Sequence, residues 1–500
     1  MESATSPAIV VAVVVVYLIA NLVVGILPGR RVSGSATGFV AGDRSLGLLV
    51  MYFITGATIF SAFAFLGGPG RVYSRGAAAF YILAYGVLGF LPFYFTGPRA
   101  ARLGRRYGFV TQAEMVARRF RLPAIAGVMA AISLIAFVPY LALQIQGAGL
   151  VVAAVTGGRV PNWLGGLVVY AVVCAYVLNS GVLGAGWTNV FQGLFMMVLA
   201  WVLGLYLPWH LYGGVGAMFR RLAEERPELL TAPGLTGSGA PWTWGQYTSS
   251  VFVSIVGFSC WPHLFMKAFT AKRERTLRQT VVLYPTFQIF LIPILLIGFS
   301  GVLFESAPAT PNEILPHLLM HLDLSPVVVG LFCAGALAAS MSSGDTMAHA
   351  TASIVVRDGL VCALGRRLDP VAERRAIRIA LVLVLIASYA VAVTYEGSIV
   401  DLLLYYAYGP VVQFAPALLA TLFWRRATGR GVLAGMIVGI LVYLAVLLWK
   451  SLAVGDLHPG FYALAANAAV LVLVSLAAPA VGSEAEAEYL QVARTPGREG

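Results

Sequence analysis

Charged residues are scarce in this chain of 500 residues. Only 11% of its residues are Asp, Glu, Lys or Arg, whereas 59% are hydrophobic and the mean hydropathy is +0.85. A soluble domain carries about 25% charged residues. The surplus apolar surface has to face lipid, so the composition predicts an integral membrane protein in a lipid bilayer.

Cysteine is scarce as well, and the motifs of nucleotide-driven and metal-dependent proteins are missing. The four cysteines form no C-x-x-C pair, so neither a zinc site nor a disulfide framework is predicted. None of the three lysines follows a glycine, whereas the phosphate-binding loop of an ATP-driven pump ends in G-K-[ST]. The metalloprotease motif HEXXH is also absent. We therefore expect a protein that is not an enzyme and does not use ATP.

Long apolar runs make up most of the chain. A membrane helix needs about 20 apolar residues to cross the hydrocarbon core. The first run lacks a basic segment before it and an A-x-A-like cleavage site after it, so we interpret it as a retained helix and not as a signal peptide. We predict thirteen membrane-spanning segments, at residues 7–28, 46–67, 76–97, 123–153, 162–180, 187–208, 246–266, 279–304, 325–355, 377–395, 400–423, 431–450 and 460–481.

The Lys and Arg residues are distributed unequally between the two sides of these segments. If the N-terminus is outside, 26 of the 33 fall in cytoplasmic segments and 7 in outer ones. Cytoplasmic loops carry such an excess of basic residues, which predicts a multi-pass cell-membrane protein with the N-terminus outside and the C-terminus in the cytoplasm. The net charge of +12 then needs no nucleic acid, because basic loops face anionic lipid. The loop 98–122 alone holds seven arginines, and we interpret it as a topology anchor, with a regulatory role as the alternative.

One apolar segment carries polar groups that lipid cannot solvate. The run from Leu331 to Leu360 carries a cluster of four hydroxyls with one carboxylate among them. An ionisable group at membrane depth is by default a functional-site hypothesis. Hydroxyls in membrane helices can instead bond back to the carbonyl four residues earlier, and that alternative stays open for single residues. For the whole cluster we favour an oxygen-lined cation site. Its members are Ser340, Ser342, Ser343, Asp345 and Thr346.

Two of the predicted segments contain residues that interrupt helices. The second segment carries Gly56 and then the run 67–70, which reads GGPG, and the segment 400–423 contains Gly409 and Pro410. Glycine and proline weaken or end a helix, and irregular backbone at membrane depth is tolerated only where protein or water satisfies it. In transporters such breaks lie at the substrate and ion sites. We therefore include two polar residues of these segments, Ser61 and Gln413, among the candidate solute contacts.

Five short stretches, taken in order, resemble the sodium:solute symporter family, which includes sodium-coupled proline, pantothenate, monocarboxylate and sugar carriers. Each stretch is weak alone, but the ordered set is specific and covers about residues 39 to 358. The stretches are FVAGDRSLG (39–47), TIFSAFAFLGGPGRVYSRG (58–76), GWTNVFQGLFMM (186–197), WPHLFMKAFTAKRERTLR (261–278) and ALAASMSSGDTMAHATASIVVRD (336–358).

The resemblance implies an all-α membrane protein with a LeuT-type fold. Two inverted repeats of five helices, about residues 46–208 and 246–423, would be preceded by one helix and followed by two. One transmembrane transporter domain would then cover residues 1–481, followed by a short cytoplasmic tail at 482–500. This arrangement agrees with the thirteen segments and with the outside N-terminus that the charge distribution predicts.

The resemblance also implies a sodium site between the first and eighth core helices. Carried over position by position, its ligands would be the backbone carbonyls of Ala57, Phe60 and Ala339 and the hydroxyls of Ser342 and Ser343. A hard cation prefers such oxygen ligands. Sodium is thus the expected coupling ion, bound in each transport cycle and not held as a resident cofactor.

A second cation or proton site is expected at Asp345 and Thr346. The family has an aspartate in its T-D-x-x-Q segment, near the eighth core helix, where this chain has Asn189. Asp345 follows Ser342 by three residues and lies on about the same helical face. It could restore the missing charge from the other side of the site. The alternative is a solvated carboxylate, or one bonded to a neighbouring helix.

Candidate solute contacts occur in the third core helix. Tyr140, Gln144 and Gln146 place phenol and amide groups in an apolar run, and Tyr140 and Gln144 share one face. Bonds between helices would explain them equally well. Arg378 and Lys450 lie at the ends of their predicted segments, and we find no Lys or Arg deeper in the membrane that could clamp a carboxylate, since Arg71 and Arg75 lie toward the outer mouth.

The function predicted from these features is sodium-coupled symport of a small organic solute by alternating access. The partners would be sodium, the solute and lipid. A solute sensor or channel-like protein on the same scaffold, or a proton-coupled symporter, is the alternative.

Overall fold

The structure is a computed structural model, and it describes residues 7–31, 36–322, 324–396, 399–453, 455–478 and 484–495. The described residues form α-helices, joined by short 3₁₀ and π-helical stretches, with two isolated β-bridges. The helices of the first half are α1 Pro7–Ile26, α2 Ala36–Ala41, α3 Leu48–Ile59, α4 Gly68–Arg75, α5 Phe80–Leu88, α6 Phe93–Tyr107, α7 Gln112–Phe120, α8 Ala124–Val155, α9 Asn162–Tyr212 and α10 Val215–Glu225.

The second half begins after a loop that contains the 3₁₀ turn Pro227–Leu230. Its helices are α11 Trp244–Phe258, α12 Pro262–Phe265, α13 Lys267–Thr270, α14 Glu274–Gln288, α15 Leu291–Gly301, α16 Ile314–His321, α17 Pro326–Ile354, α18 Pro370–Thr394, α19 Ile399–Asp401, α20 Gly409–Val411, α21 Phe414–Phe423, α22 Gly429–Leu448, α23 Pro459–Ala477 and α24 Glu484–Arg494. The π-helical stretches are Phe63–Gly67, Val355–Ala363 and Leu402–Tyr408.

All thirteen predicted segments coincide with helix. Among the described residues, nine helical runs are long and apolar enough to cross a membrane, and two bent pairs raise that number to eleven. Two of the eleven are long enough to cross twice. The α9 helix has 51 residues and is interrupted at Gly181, which has φ 53° and ψ −139°, and the bent run 48–88 spans two predicted segments. The prediction of about thirteen spanning helices is confirmed.

Each half of the chain contains a broken helix, which follows α1 and α2 in the first half and comes first in the second half. In the first half, Leu48–Ile59 meets the run 63–88 at an angle of 49°, and in the second half Trp244–Phe258 meets Pro262–Thr270 at 43°. The glycine and proline residues of the first half predicted its break. The second break was not predicted. Its sequence signal is Pro262, which has no N–H to continue a helix and stands at the start of a new one.

The helix that carries the hydroxyl cluster lies in the centre of the molecule. The run that contains α17 is 83% buried, more than any other spanning run described, and it packs against α1, α3, α8, α9 and α18. Its glycines allow this close approach. A Cβ on Gly344 would lie 2.1 Å from the Tyr170 hydroxyl, and one on Gly335 would lie 2.6 Å from Leu199. Because α17 is buried on all sides from Phe332 to Ile354, its polar groups there have to find protein partners.

One boundary differs clearly from its prediction. The segment predicted at 377–395 begins at Pro370 in the structure. The Asp369 side chain accepts hydrogen bonds from the backbone N–H groups of Val371 and Ala372, and proline is favoured in the first turn. The helix therefore starts with a charged turn that a search for apolar runs does not detect.

The seven arginines of residues 98–122 lie at one end of the bundle, which we call the basic end. They belong to α6, to α7 and to the residue after α7. The α7 helix begins with a capping box, in which Thr111 and Glu114 each bond to the other's backbone N–H. The described part of the predicted tail 482–500, residues 484–495, also lies here. Residues 482–483 and 496–500 fall outside the described part of the chain, and the rest of the tail contains α24, which packs against α6 and α21.

Candidate functional site

The break that follows α3 leaves backbone groups at the end of this helix without helical partners. The helix ends at Phe60, whose ψ of 65° is not helical and whose N–H donates to the Gly56 carbonyl at 3.2 Å. The Ser61 N–H turns back to the Ile59 carbonyl at 2.8 Å. The last four carbonyls of a helix have no intrahelical partner, so the end of α3 presents free oxygens to its neighbours.

Two serines of α17 face those oxygens. The Ser342 hydroxyl lies 3.0 Å from the Ala57 carbonyl and 3.1 Å from the Ala339 carbonyl. The Ser343 hydroxyl lies 2.5 Å from the Thr58 carbonyl and 3.5 Å from that of Ala339. Both serines are fully buried. Four of the five predicted sodium ligands are thus brought together. The fifth, Phe60, is the residue that ends α3, and its ring packs on Phe287 at 5.4 Å.

The third serine of the cluster has a different place. The Ser340 hydroxyl donates to the Gln144 carbonyl of α8 at 2.6 Å. The Tyr170 hydroxyl of α9 lies 3.2 Å from the Ser340 hydroxyl and 3.1 Å from its carbonyl. Ser340 therefore joins α17 to two scaffold helices, one turn away from the serines that face α3.

Asp345 is fully buried and surrounded by donors from two helices. The Tyr176 hydroxyl donates to its Oδ2 at 2.9 Å, and the Thr188 hydroxyl lies 3.0 Å from the same oxygen. The Asn189 amide donates to Oδ1 at 3.2 Å, and the hydroxyl of Thr346 donates to Oδ1 at 3.0 Å. Asp345 and Asn189 are therefore direct neighbours, as the predicted exchange of charge between these positions requires.

Thr58 connects the two groups of oxygens and was missed in the sequence. Its carbonyl accepts from Ser343, while its hydroxyl lies 3.3 Å from the Asn189 Oδ1 and 3.4 Å from the Thr346 hydroxyl. Thr58 stands next to the predicted ligand Ala57, at the end of a helix. That position was a usable signal, because a carbonyl in the last helical turn has no intrahelical partner. The Thr58 hydroxyl itself donates to the Ile54 carbonyl of its own helix.

Lys267 corrects the expectation that no lysine is available within the membrane-spanning helices. The predicted segment ended at residue 266, but helix continues to Thr270 and Lys267 is only 2% exposed. The short helix α12 directly before it packs against α17, which carries Asp345. The predicted segment was ended at residue 266 because the next residue is charged. A boundary drawn from hydropathy alone therefore left Lys267 outside the helix.

Three of the predicted solute contacts meet at the break. The Gln144 Oε1 accepts a hydrogen bond from the Ala62 N–H at 2.9 Å, and its Nε2 is buried without a hydrogen-bond partner among the described residues. The Tyr140 side chain lies beside that of Ser61. Gln144, Tyr140 and Ser61 therefore form one polar group beside the irregular backbone, with a free amide donor.

An aromatic wall from the second broken helix borders this polar group. The Trp261 ring lies 5.1 Å from Tyr140 and 5.6 Å from Tyr408. His263 lies 5.6 Å from Trp261, and its Nδ1 is buried without a partner among the described residues. These residues flank Pro262 at the unpredicted break, and so the sequence reasoning did not select them.

The other two predicted solute contacts lie elsewhere. The Gln146 amide donates to the carbonyls of Ala392 and Tyr395 in and after α18. Gln413 faces α22 and α23, where its carbonyl and its Oε1 accept from the Asn467 amide at 2.9 and 3.0 Å. Both glutamines join helices, which is the alternative that the sequence left open for such residues.

A cavity of about 580 Å³ leads toward the break from the end of the bundle opposite the basic end. Gly67, Gly70 and Gln146 line it, together with Arg71 and Arg75. The two arginines pair with Asp401 at 3.4 and 2.8 Å. This ion pair links α4, directly after the first break, to α19, directly before the last core helix.

Comparison with known proteins agrees with this architecture. The model of the sodium:solute symporter family matches residues 39–439. The chain is 28% identical to the uncharacterized symporter YhjB of Bacillus subtilis, over 93% of this chain and 96% of that protein. It is 24% identical to the sodium/pantothenate symporter of Escherichia coli, over 90% and 92% of the two chains. With the high-affinity proline transporter PutP of Bacillus subtilis the identity is 25%, over 88% and 93%.

Solved structures with the same fold include a sodium-coupled carrier. A substrate-bound, outward-open Na⁺-coupled sialic acid symporter superposes with a TM-score of 0.77 and 19% identity, over 95% of this chain and 99% of that one. The nucleobase-cation-symport-1 family transporter Mhp1 gives a TM-score of 0.59 and 16% identity, over 92% and 99%. The predicted LeuT-type fold is confirmed.

Proposed function

Because the chain belongs to the sodium:solute symporter family, it is a sodium-coupled membrane transporter, and we propose that its coupling sodium binds where α3 breaks. The observation that carries this proposal is the contact of Ser342 and Ser343 with the carbonyls of Ala57 and Thr58. Two buried hydroxyls and several freed carbonyls make up the oxygen set that a hard cation prefers. Ala339 adds a further carbonyl from the same turn of α17.

Sodium bound there would add ionic contacts between two elements that already pack together and share hydrogen bonds. In the structure the serine hydroxyls donate to the carbonyls of α3. With a cation between them, hydroxyl and carbonyl oxygens would both face the ion. The ion would then hold the end of α3 against α17. Since the same break borders the solute group, binding of sodium and of solute would favour one arrangement of this segment, which is the requirement for coupling.

We propose a second cation site at Asp345. Its ligands would be the Asp345 carboxylate, the hydroxyls of Thr346 and Thr58 and the Oδ1 of Asn189, which approach one another within 3.4 Å. The carboxylate supplies the formal charge that Asn189 lacks. Its present donors satisfy it without a cation, and the competing explanation is a carboxylate that only joins α9 to α17.

The solute is proposed to bind against Tyr140, Gln144 and Ser61, with Trp261 as an apolar wall. This group offers a free amide donor and hydroxyls beside aromatic rings, which suits a small organic solute that has both polar atoms and an apolar face. Proline and pantothenate, the solutes named for two relatives, have this character. Gln146 and Gln413, as placed in the structure, are less suited to touch it.

The orientation is proposed from the charge distribution. The basic end would face the cytoplasm, because cytoplasmic loops are rich in Lys and Arg. The cavity that contains Arg71 and Arg75 would then open to the outside, and α24 would lie in the cytoplasm.

Uptake by proteoliposomes tests the transport proposal. Purified protein would be reconstituted, and labelled proline, pantothenate and other small solutes would be offered with and without an inward sodium gradient. We expect accumulation above the external concentration only with the gradient. A solute that binds but never accumulates would favour a sensor or channel-like protein instead. Accumulation driven equally well by a proton gradient without sodium would favour the proton-coupled alternative.

A further inference from the structure

The C-terminal helix α24 is firmly docked at the basic end. Tyr489, Leu490 and Ala493 on one face of the helix are 4%, 2% and 0% exposed. The Tyr489 hydroxyl donates to the Met115 carbonyl of α7 at 2.7 Å, and its ring stacks on Tyr107 of α6 at 5.4 Å. Burial raises the pKa of Tyr489 well above its ordinary value, so its phenol stays a hydrogen-bond donor.

A buried arginine caps the end of this helix. The Arg102 guanidinium of α6 donates to the carbonyls of Ala493 and Arg494 at 2.8 and 3.1 Å. These are carbonyls of the last helical turn, which a basic side chain satisfies well. The same guanidinium forms a bidentate pair with Glu274, at 2.9 and 2.7 Å. Arg102 and Glu274 are both nearly buried, with side chains 8% and 5% exposed.

Arg102 therefore joins three parts of the chain. Its own helix belongs to the first half, Glu274 begins α14 of the second half, and the carbonyls belong to the tail helix. Arg119 of α7 extends the same connection, since it donates to the carbonyl of Trp424, the residue after α21, at 3.0 Å and lies 6.0 Å from the Tyr489 ring. The tail helix thus lies across the joint between the two halves at the basic end.

The charges of the tail helix match the surface on which it lies. Its first half contains three glutamates, and acidic residues are favourable near a helix N-terminus. Glu488 pairs with Arg106 at 3.4 Å, and the charge of Glu486 acts on Arg119. Part of the arginine-rich stretch 98–122 is therefore occupied by the chain's own C-terminus and does not serve only as a topology anchor.

We propose that α24 is an intramolecular strap that holds the basic end closed, and that transport requires its contacts to loosen. Opening of this end has to separate helices that pack together here, and α24 contacts α6 of the first half and α21 of the second. Tyr107, which stacks on Tyr489, also lines a cavity of about 420 Å³ at this end together with Glu114 and Arg357. The inference rests on the alternating-access function, because a strap matters only if the basic end opens.

The test measures access to a buried position without any solute. The four native cysteines are replaced by serine. The reporter is Met51→Cys, because Met51 lies near the start of α3, is 1% exposed and contacts Thr270. A second reporter, Leu150→Cys, lines the cavity at the opposite end. Alkylation by N-ethylmaleimide is timed in lipid nanodiscs.

The variants are Tyr489→Ala and Ala493→Glu, and the control is Gln491→Ala, which alters an exposed residue of the same helix. Tyr489→Ala removes the ring and the hydrogen bond, and Ala493→Glu places a carboxylate at a buried position close to Glu274. In both, we expect labelling of Met51→Cys to rise about fivefold or more, the factor that about 1 kcal/mol of lost contact gives. Labelling of Leu150→Cys should fall, while the control behaves like the parent.

Equal labelling rates in all three variants would overturn the strap. So would a rise at both reporters, which would indicate general loosening, and the melting temperature of each variant identifies that case. Sodium separates this inference from the proposed sodium site. If sodium leaves the labelling of the parent protein unchanged while the tail variants still accelerate it, the sodium site is wrong and the strap stands.

Discussion

At the scale of single residues, the central feature is that chemically similar side chains in one helix have different partners. Ser342 and Ser343 face α3, Ser340 faces α8, and Ser353 bonds back to the His349 carbonyl of its own helix at 2.8 Å. Successive residues of a helix are rotated by about 100° from one another, as its 3.6 residues per turn require. The serines therefore divide among the neighbours of α17 according to the helical face on which each one lies.

Replacing either serine that faces α3 should weaken sodium binding. Ser342→Ala and Ser343→Ala each remove one oxygen from a buried polar site, a loss of about 1–3 kcal/mol. The sodium concentration for half-maximal uptake should rise roughly five- to a hundredfold. Ser353→Ala is the matched control, since it removes a buried hydroxyl of the same helix that bonds to its own backbone. If both test variants keep the sodium dependence of the parent, the serines only join helices.

The second residue prediction concerns the pair of Asp345 and Asn189. Asp345→Asn removes a charge at the proposed second cation site, and hydrogen bonds to charged groups contribute about 1.5–3 kcal/mol. The half-maximal sodium concentration should rise roughly ten- to a hundredfold. The double variant Asp345→Asn with Asn189→Asp moves the charge across their 3.2 Å contact and should recover part of the loss. Sodium dependence unaffected by Asp345→Asn would show that the carboxylate only joins helices.

At the scale of elements, the broken helix is held by close approach of its neighbour. Gly147 of α8 lies against Ala62 in the break, where an added Cβ would come within 2.5 Å of the Ala62 Cβ. One turn earlier in α8, Gln144 accepts from the Ala62 N–H. The break is thus supported by α8 in two ways, through the packing of Gly147 and through the hydrogen bond to Gln144. Both contacts require the same separation between α8 and the break that follows α3.

Gly147→Ala should therefore disturb the break. Overpacking of this kind costs about 1–3 kcal/mol, and the displacement would carry Gln144 away from Ala62. We expect a lower melting temperature and a lower maximal uptake rate. Gly359→Ala is the control, because a Cβ there meets nothing within 4 Å. A Gly147→Ala protein with the melting temperature and uptake of the parent would mean that α8 is free to shift.

At the scale of the whole molecule, the charge asymmetry becomes a difference between two ends. The basic end carries the seven arginines of 98–122, the tail helix and the Arg357 pairs with Glu114 and Glu373. The opposite end carries the cavity with Arg71 and Arg75 and one linking carboxylate, Asp401. The two ends thus differ in charge and in the ion pairs and helices that they contain, as expected for a carrier that opens to one side at a time.

The proposed orientation can be tested by labelling in intact cells. In a background without native cysteines, Arg367→Cys and Ser238→Cys place single thiols at exposed positions of opposite ends. An impermeant maleimide should label Ser238→Cys and leave Arg367→Cys unlabelled until the membrane is permeabilised, because basic loops stay in the cytoplasm. The reverse labelling pattern would contradict the proposed orientation and place the basic end outside the cell.

The sequence by itself determined the class of the protein, its spanning helices and the place of its first break. These depend on composition, on the length of apolar runs and on glycine and proline, all of which act locally along the chain. It also indicated most of the residues that meet at the proposed sodium site. The second break at Pro262 and the start of α18 at Pro370 were missed, because proline and a charged first turn leave little trace in an apolar run.

Only the tertiary structure decided which polar groups meet. Ser343 reaches Thr58 across 285 positions of the chain, and Arg102 reaches the end of the tail helix across 391. The rotation and the depth of each packed helix select such partners, and neither can be read from one helix alone. The roles of Thr58, of Gln413 and of the C-terminal helix were therefore set by packing between distant segments, where each buried polar group has to be satisfied by whatever helix lies beside it.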